Sequence, residues 1–526
     1  MPRTQMPECS EVRRLSGLDA AFLALETTTS TGHVGGVSIL DPKDAPEPLN
    51  LPRLTRILES RLDAVPVLRQ RLETVPMGID QPVWVDDKHF DIGYHVREIG
   101  LPMPGSDDQL SEQVSRIHAR PLDRSRPLWE TYLISGLSGG RVAVYTKVHH
   151  SAIDGVSGSE LLALLFDLTP EGRPTDGQER PTFQAKPGPS RLELGLRGVA
   201  RLAWRPVEVA QLATHAVRAL PSVGPIIGPP LAGLLGLGRG EGSDGQVLPL
   251  EAAPIIAPQT PFNVAISPHR RFAFGSVSLP DVKRVKNAFG VSVNDVVMAM
   301  TAGALRTWLQ EREALPDGPL VAMVPVSIRT AGTEVGGNKV SAMLAALPTH
   351  LDDPVGRLAV TRRATMVAKS QQAFIPQGLV DEVSDFAPPA FTARAAKMLF
   401  ASKVLHRLPA FNVVISNVPG PNIPIYLAGA KVLAHIPVSV VTDGIGLNVT
   451  VIGYLDQLHF GLIAAREVVP DLDSIMASMH EELAVLLAAA EERERDQVDD
   501  GAAESVSARP ARGTARKRAA RPRRSS

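Results

Sequence analysis

The run His149-His150-Ser151-Ala152-Ile153-Asp154-Gly155 holds the residues whose types and spacing could do chemistry. A neutral imidazole, with an ordinary pKa of about 6.5, can take a proton from a hydroxyl at neutral pH. Asp154 lies four residues after His150, where it could orient an imidazole or fold away and fix the loop through a salt bridge. Gly155 lets the backbone turn where a side chain would clash. Other readings compete. A lone histidine on an apolar strand face is usually a hydrogen-bonded core residue. Two histidines and an aspartate can hold a metal, but one carboxylate with two opposed imidazoles is a poor ligand set, so no metal is expected. Ser151 as a nucleophile is disfavoured. It directly follows a histidine at a strand end, should face away from it, and lacks a Gly-x-Ser-x-Gly elbow.

The element that must position the histidines is the segment 141–150, which reads as the clearest strand in the chain. Alternation puts Val142, Val144, Thr146, Val148 and His150 on one face and Ala143, Tyr145, Lys147 and His149 on the other. The two imidazoles should therefore point apart and need not do the same job. His150 ends the strand, at the kind of scaffold edge that often carries reacting groups. Ser157-Gly158-Ser159-Glu160 then matches a capping box ahead of the apolar run 161–168. Upstream, Leu18, Ala21, Phe22 and Leu25 read as a helix, 34–40 as a strand, and 51–65 and 109–120 as helices. Downstream, strands are expected at 272–279, 320–327, 340–347, 411–416, 446–454 and 457–464. Helices are expected at 281–289, from Asn294-Asp295 to about 310, and over roughly 472–495. Strands and helices alternate in both halves, which argues for α/β layering in each.

Composition narrows the function classes. The chain has 526 residues, 44% apolar and 21% charged, with a net charge of -1. It can bury a large core, and nothing in its overall charge suggests nucleic-acid binding. A single cysteine, Cys9, leaves no internal disulfide and no multi-cysteine zinc site, and fits a reducing compartment. No signal-peptide pattern opens the chain, so a cytoplasmic location is expected. Residues 219–238 carry no charge, but Pro221, Pro225, Pro229 and Pro230 disfavour a membrane-spanning helix there. The segment 191–218 is amphipathic, with Arg191, Arg197, Arg201, Arg205 and Arg218 beside apolar residues. These features divide the chain into 1–168, a Pro/Gly-rich and amphipathic bridge over 169–265, a second half over 266–495, and a basic tail over 496–526. The tail cannot bury enough surface to fold, and its arginines could attach to anionic lipid heads.

His-His-x-x-x-Asp-Gly is the signature of the CoA-dependent acyltransferase superfamily. The rest of the chain resembles one branch of it, the bacterial bifunctional wax ester synthase/diacylglycerol acyltransferase family. The resemblance rests on an ordered set of segments. Near the start are Leu15-Ser16-Gly17-Leu18-Asp19-Ala20-Ala21-Phe22-Leu23, His33-Val34-Gly35-Gly36 and Pro127-Leu128-Trp129. Later come Asn294-Asp295-Val296-Val297, Val324-Pro325-Val326-Ser327-Ile328-Arg329 and Gly337-Asn338. Asn417-Val418-Pro419-Gly420-Pro421 and Asp443-Gly444-Ile445-Gly446-Leu447-Asn448 complete it. The match covers about residues 15–490. Condensation domains and plant acyltransferases share the histidine motif, so it is the ordered set that is specific.

The resemblance implies two chloramphenicol-acetyltransferase-like α/β domains, each a mixed sheet flanked by helices, with the active-site channel between them. It implies that His150 is the general base, that His149 supports it, and that no covalent enzyme intermediate forms. Asp154 becomes a structural anchor, paired with Arg329 across the halves. Asn294 would contact the acyl thioester, although Asn294-Asp295 also reads as a helix N-cap. Pro127 and Trp129 are expected to pack rather than touch substrate, and 417–421 to form a rigid turn. The expected substrates are acyl-CoA and diacylglycerol, giving triacylglycerol, with a long-chain alcohol as the rival acceptor. No cofactor is implied, since acyl-CoA is a substrate. A membrane surface or lipid droplet is the expected partner. A non-catalytic lipid-binding or droplet-coating protein is the rival from another class.

Overall fold

The computed structural model describes residues 12–153, 158–173, 183–201, 253–254, 256–328, 339–372 and 409–507. Its first sheet is built around β6 (Val142–His149), where β-branched and aromatic residues favour a pleated, buried strand. β1 (His33–Asp41) and β5 (Trp129–Ser135) flank β6, both antiparallel to it. β4 (Val96–Gly100) adds parallel to β5 at one edge. On the far side of β1 lie β12 (Ala430–Val438) and β11 (Tyr426–Leu427), which come from the second half of the chain.

The two faces of this sheet bury different residues, as alternation predicts. Val144 and Val148 pack with α2 (Leu51–Arg61) and α6 (Gly158–Leu165). α2 is capped by Asn50 and buries Leu54, Ile57 and Leu58 at helical spacing. Ala143 and Tyr145 pack against Leu110, Val114 and Ile117 of α4 (Asp107–His118), a helix started by the capping box of Ser106 and Gln109. The core on this second face continues without a break into the second half.

The second sheet runs β7 (Arg270–Ser278), β14 (Gln457–Ala465), β13 (Leu447–Tyr454), β10 (Val413–Val418), β8 (Leu320–Ile328) and β9 (Lys339–Leu347). β10 is parallel to both neighbours and the other pairings are antiparallel. α8 (Leu279–Phe289), α9 (Val293–Gln310), α10 (Pro354–Gln372) and α11 (Leu472–Ser507) complete this half. Gly290 ends α8 in the left-handed region at φ 64°, where a glycine costs least. The sheets meet where β12 lies over β14. A Cβ on Gly461 would stand 1.8 Å from the Pro437 carbonyl oxygen, so only glycine permits that approach.

The α/β class and the mixed, helix-flanked sheets agree with expectation. β5, β12 and α10 are absent from the sequence reading, and the pairing of β12 with β1 joins segments that a contiguous division of the chain keeps apart. β10 extends to Val418, so Asn417 and Val418 belong to a strand rather than to a turn. The last helix continues to Ser507, beyond the expected 495, and its middle is held by Arg284 on Glu491 and Glu494. The segment 219–238 and the tail from 508 lie outside the described residues. Among the described residues no single helix is long and apolar enough to cross a membrane.

Candidate active site

β6 ends at His149, and His150 opens the short helical turn α5 (His150–Ile153) instead of closing the strand. Two amides set this break. The His149 N–H donates to the Leu128 carbonyl at 2.9 Å, and the His150 N–H donates to the Gly32 carbonyl at 2.8 Å. The turn, and not strand alternation, therefore sets the direction of the His150 ring.

His149 faces inward. Its Nδ1 accepts the Ser151 N–H at 3.1 Å and lies 2.6 Å from Ser151 Oγ. An imidazole nitrogen that accepts an amide proton carries none itself, so the ring proton sits on Nε2. Nε2 points at Glu26 Oε1, 3.1 Å away. Ser151 therefore meets His149 and not the histidine it directly follows, because the helical turn folds residue 151 back over 149. Its side chain is buried and its hydroxyl occupied, which still argues against a nucleophile.

Glu26 is a residue of this site that sequence reasoning missed. It caps the C-terminal end of α1 (Gly17–Leu25). Burial alone would raise its carboxyl, but His149, the Gly32 N–H at 2.7 Å and Arg124 pull it down to about 2. The one signal in the chain is a lone acid between an apolar helix and the threonine-rich run Thr27-Thr28-Thr29-Ser30-Thr31.

His150 stacks on Phe22 of α1, with ring centroids 4.3 Å apart and planes inclined by 25°. Its Nδ1 is buried and has no hydrogen-bond partner among the described residues. Burial, and then the neighbouring His149, push its pKa down to about 4. The ring is therefore neutral at neutral pH and able to accept a proton.

The second half meets the first at the loop that frames these rings. Arg270, buried and lowered to about 10 by that burial, donates to the Thr29 carbonyl. The Asp443 N–H donates to Ser30 Oγ at 3.1 Å. Deeper on the same face, His118 links Tyr145, at 2.7 Å, to the Ser439 carbonyl, at 2.9 Å. Lys147 is fully buried, donates to the Arg120 carbonyl and pairs with Glu130 at 3.2 Å.

The other expected residues divide. Leu128 and Trp129 are buried, and Trp129 donates to the Leu68 carbonyl at 2.7 Å and stacks on His95. The Pro127 segment therefore packs, as expected, and its Leu128 carbonyl also holds the His149 backbone. The N-cap of α9 is Ser292, not Asn294 or Asp295. The helix begins two residues earlier than a cap at Asn294 would start it, so Asp295 closes the capping box from the third position. It also accepts from Thr365 at 2.7 Å. Asn294 turns its amide toward Met298 Sδ, 3.4 Å away. Asp154, Gly155 and Arg329, with the proposed ion pair, lie outside the described residues.

Two family descriptions match the chain: the wax ester synthase/diacylglycerol acyltransferase catalytic domain over residues 15–297, and the C-terminal domain of the same family over 336–486. The chain belongs to this family. It is 35% identical over 484 residues to a Mycobacterium tuberculosis chain named "Putative diacyglycerol O-acyltransferase", covering 91% of each. It is 32% identical to the O-acyltransferase WSD of Acinetobacter baylyi, covering 90% of this chain and 96% of that one. Among solved structures it resembles the wax ester synthase/diacylglycerol acyltransferase of Marinobacter aquaeolei VT8, at 30% identity and a TM-score of 0.62, covering 91% and 100%. A condensation domain of the calcium-dependent antibiotic synthetase, at 16% identity and a TM-score of 0.53, shares the fold. The resemblance read from the motifs is thus borne out, and the protein is an acyltransferase.

Proposed function

We propose that the protein transfers a long-chain acyl group from acyl-CoA to diacylglycerol, forming triacylglycerol, with His150 as the general base. The observation that carries the base assignment is a neutral, buried imidazole, stacked on Phe22, with an unpartnered nitrogen among the described residues. His150 takes the proton of the acceptor hydroxyl as its oxygen bonds to the thioester carbonyl carbon. The carbon–sulfur bond then breaks, and the proton returns from the imidazolium to the CoA sulfur. A thioester is already activated, so proton removal and oxyanion stabilisation suffice. Each buried methylene of the acyl chain contributes about 0.8 kcal/mol of binding.

A long-chain alcohol uses the same base and thioester, giving a wax ester, and the family description names both activities. Product analysis with purified protein, one acyl-CoA and competing acceptors separates the two readings. His150→Ala should lower product formation by roughly 100-fold or more. Equal, background-level turnover by wild type and variant would overturn the catalytic reading in favour of a lipid-binding protein.

The substrates are insoluble, and we place the protein at the inner face of the plasma membrane or on lipid droplets. The helix α7 over 191–201 supports this. Leu194 and Gly198 face the hairpin of β2 (Gln70–Glu73) and β3 (Val83–Asp86) and the segment joining the two strands, while Leu192, Leu196 and Val199 are 75%, 64% and 55% exposed. Their spacing puts them on one face, flanked by Arg191, Arg197 and Arg201. An apolar stripe with basic flanks suits a helix lying in the interface plane.

A further inference from the structure

We infer that Glu26 is a positioning residue for His150, acting through His149 and through the Gly32 peptide; the inference rests on the reading of His150 as the base. One carboxylate oxygen, Oε1, accepts both the Gly32 N–H at 2.7 Å and the His149 Nε2–H at 3.1 Å. Each contact leads to His150 by a separate route. The Gly32 carbonyl receives the His150 N–H at 2.8 Å. His149 Nδ1 receives the Ser151 N–H, which fixes the first residue after His150 in the helical turn. Glu26 therefore braces the backbone on both sides of the base without touching a reacting atom.

The arrangement also selects one form of His149. With Nδ1 turned to an amide N–H, only the Nε2-protonated ring fits, and the anion of Glu26 holds that proton. Glu26 is held in turn. Arg124 donates to its Oε2 and to the Leu23 carbonyl at 2.7 Å, tying the end of α1 in place. Phe22 lies one helical turn before Glu26 and stacks on the His150 ring. One turn of α1 thus addresses both histidines, His150 through its ring face and His149 through its proton. Gly32 is part of the device, because a Cβ there would stand 2.9 Å from His149 Nε2 and 3.5 Å from Glu26 Oε1.

The test compares Glu26→Ala, Glu26→Gln and wild type by steady-state kinetics and by nitrogen-15 spectra of labelled histidine. Glu26→Ala should lower kcat by about 100-fold, the scale of a slightly misplaced base, with the KM for acyl-CoA within about threefold. Glu26→Gln keeps an oxygen that accepts from Gly32 and His149, and should recover most of that loss. Wild-type His149 should appear as a single Nε2-protonated tautomer, and that signal should be lost in Glu26→Ala. A Glu26→Ala enzyme with kcat within about threefold of wild type overturns the inference. So does a wild-type His149 protonated on Nδ1, an outcome readable even if the alanine variant fails to fold. If wild type esterifies no acceptor, the functional reading falls, while the tautomer of His149 still decides whether Glu26 positions the turn.

Discussion

Acidification from about pH 7.5 to 5.5 should remove a large part of the stability of this protein, through histidines that fold in the neutral form. Burial holds His118 at about 3 and His150, His435 and His459 at about 4. In the unfolded chain each returns to about 6.5 and takes up a proton first. Lowered folded values mean that the unfolded state binds more protons below pH 6.5, so stability is full above that pH and falls as pH drops. At pH 5.5 each such histidine costs about 1.4 kcal/mol, so four cost roughly 6 kcal/mol. Domains of this kind are stable by only about 5–15 kcal/mol. Carboxylates such as Glu26, held near 2, add their own loss only below about pH 4.5. Urea unfolding followed by tryptophan fluorescence, repeated across this pH range, measures the slope. A stability at pH 5.5 within about 1 kcal/mol of that at pH 7.5 would refute the assignment of these rings as neutral and buried.

The same burial governs the rate. With His150 at about 4, kcat/KM should stay flat from pH 8 to 6 in short assays on folded enzyme, and a midpoint near pH 6.5 would contradict it. Gly32→Ala forces a Cβ to 2.9 Å from His149 Nε2 and should cost at least about tenfold in kcat, since a small misplacement of a base is enough. Normal turnover by that variant would show that the loop gives way freely. Replacing Leu192, Leu196 and Val199 together by serine should lower recovery with anionic vesicles by about tenfold while leaving turnover of a soluble acceptor intact. Unchanged flotation would exclude α7 as the docking face.

How much of this was legible in the sequence depended on the range of each interaction. β6 was readable because alternation is local: Val144 and Val148 do pack against one cluster, and Ala143 and Tyr145 against another. The error came at its last residue. Whether His150 continues the strand is decided by the Gly32 and Leu128 carbonyls, which lie in other segments. At α9 the helix was evident, yet the cap was misplaced by two residues, because serine, asparagine and aspartate all favour that position and Ser292 precedes the other two. The strand β12 went unread although its run alternates: Ala430, Val432, Ile436 and Val438 are buried, while Lys431 and Leu433 between them are exposed.

Glu26 shows the limit most clearly. In the chain it is one acid among many, and 123 positions separate it from His149. Its role follows from geometry alone: a carboxylate that two amide-linked routes connect to the base, in a loop the second half grips at Thr29 and Ser30. Motifs mark the group that reacts because its chemistry restricts the residue type. A positioning group needs only an acceptor at the right point, which different folds can supply from different segments. The histidine pair was therefore readable one residue at a time, whereas the carboxylate that aims it became visible only once α1, β1 and β6 stood side by side.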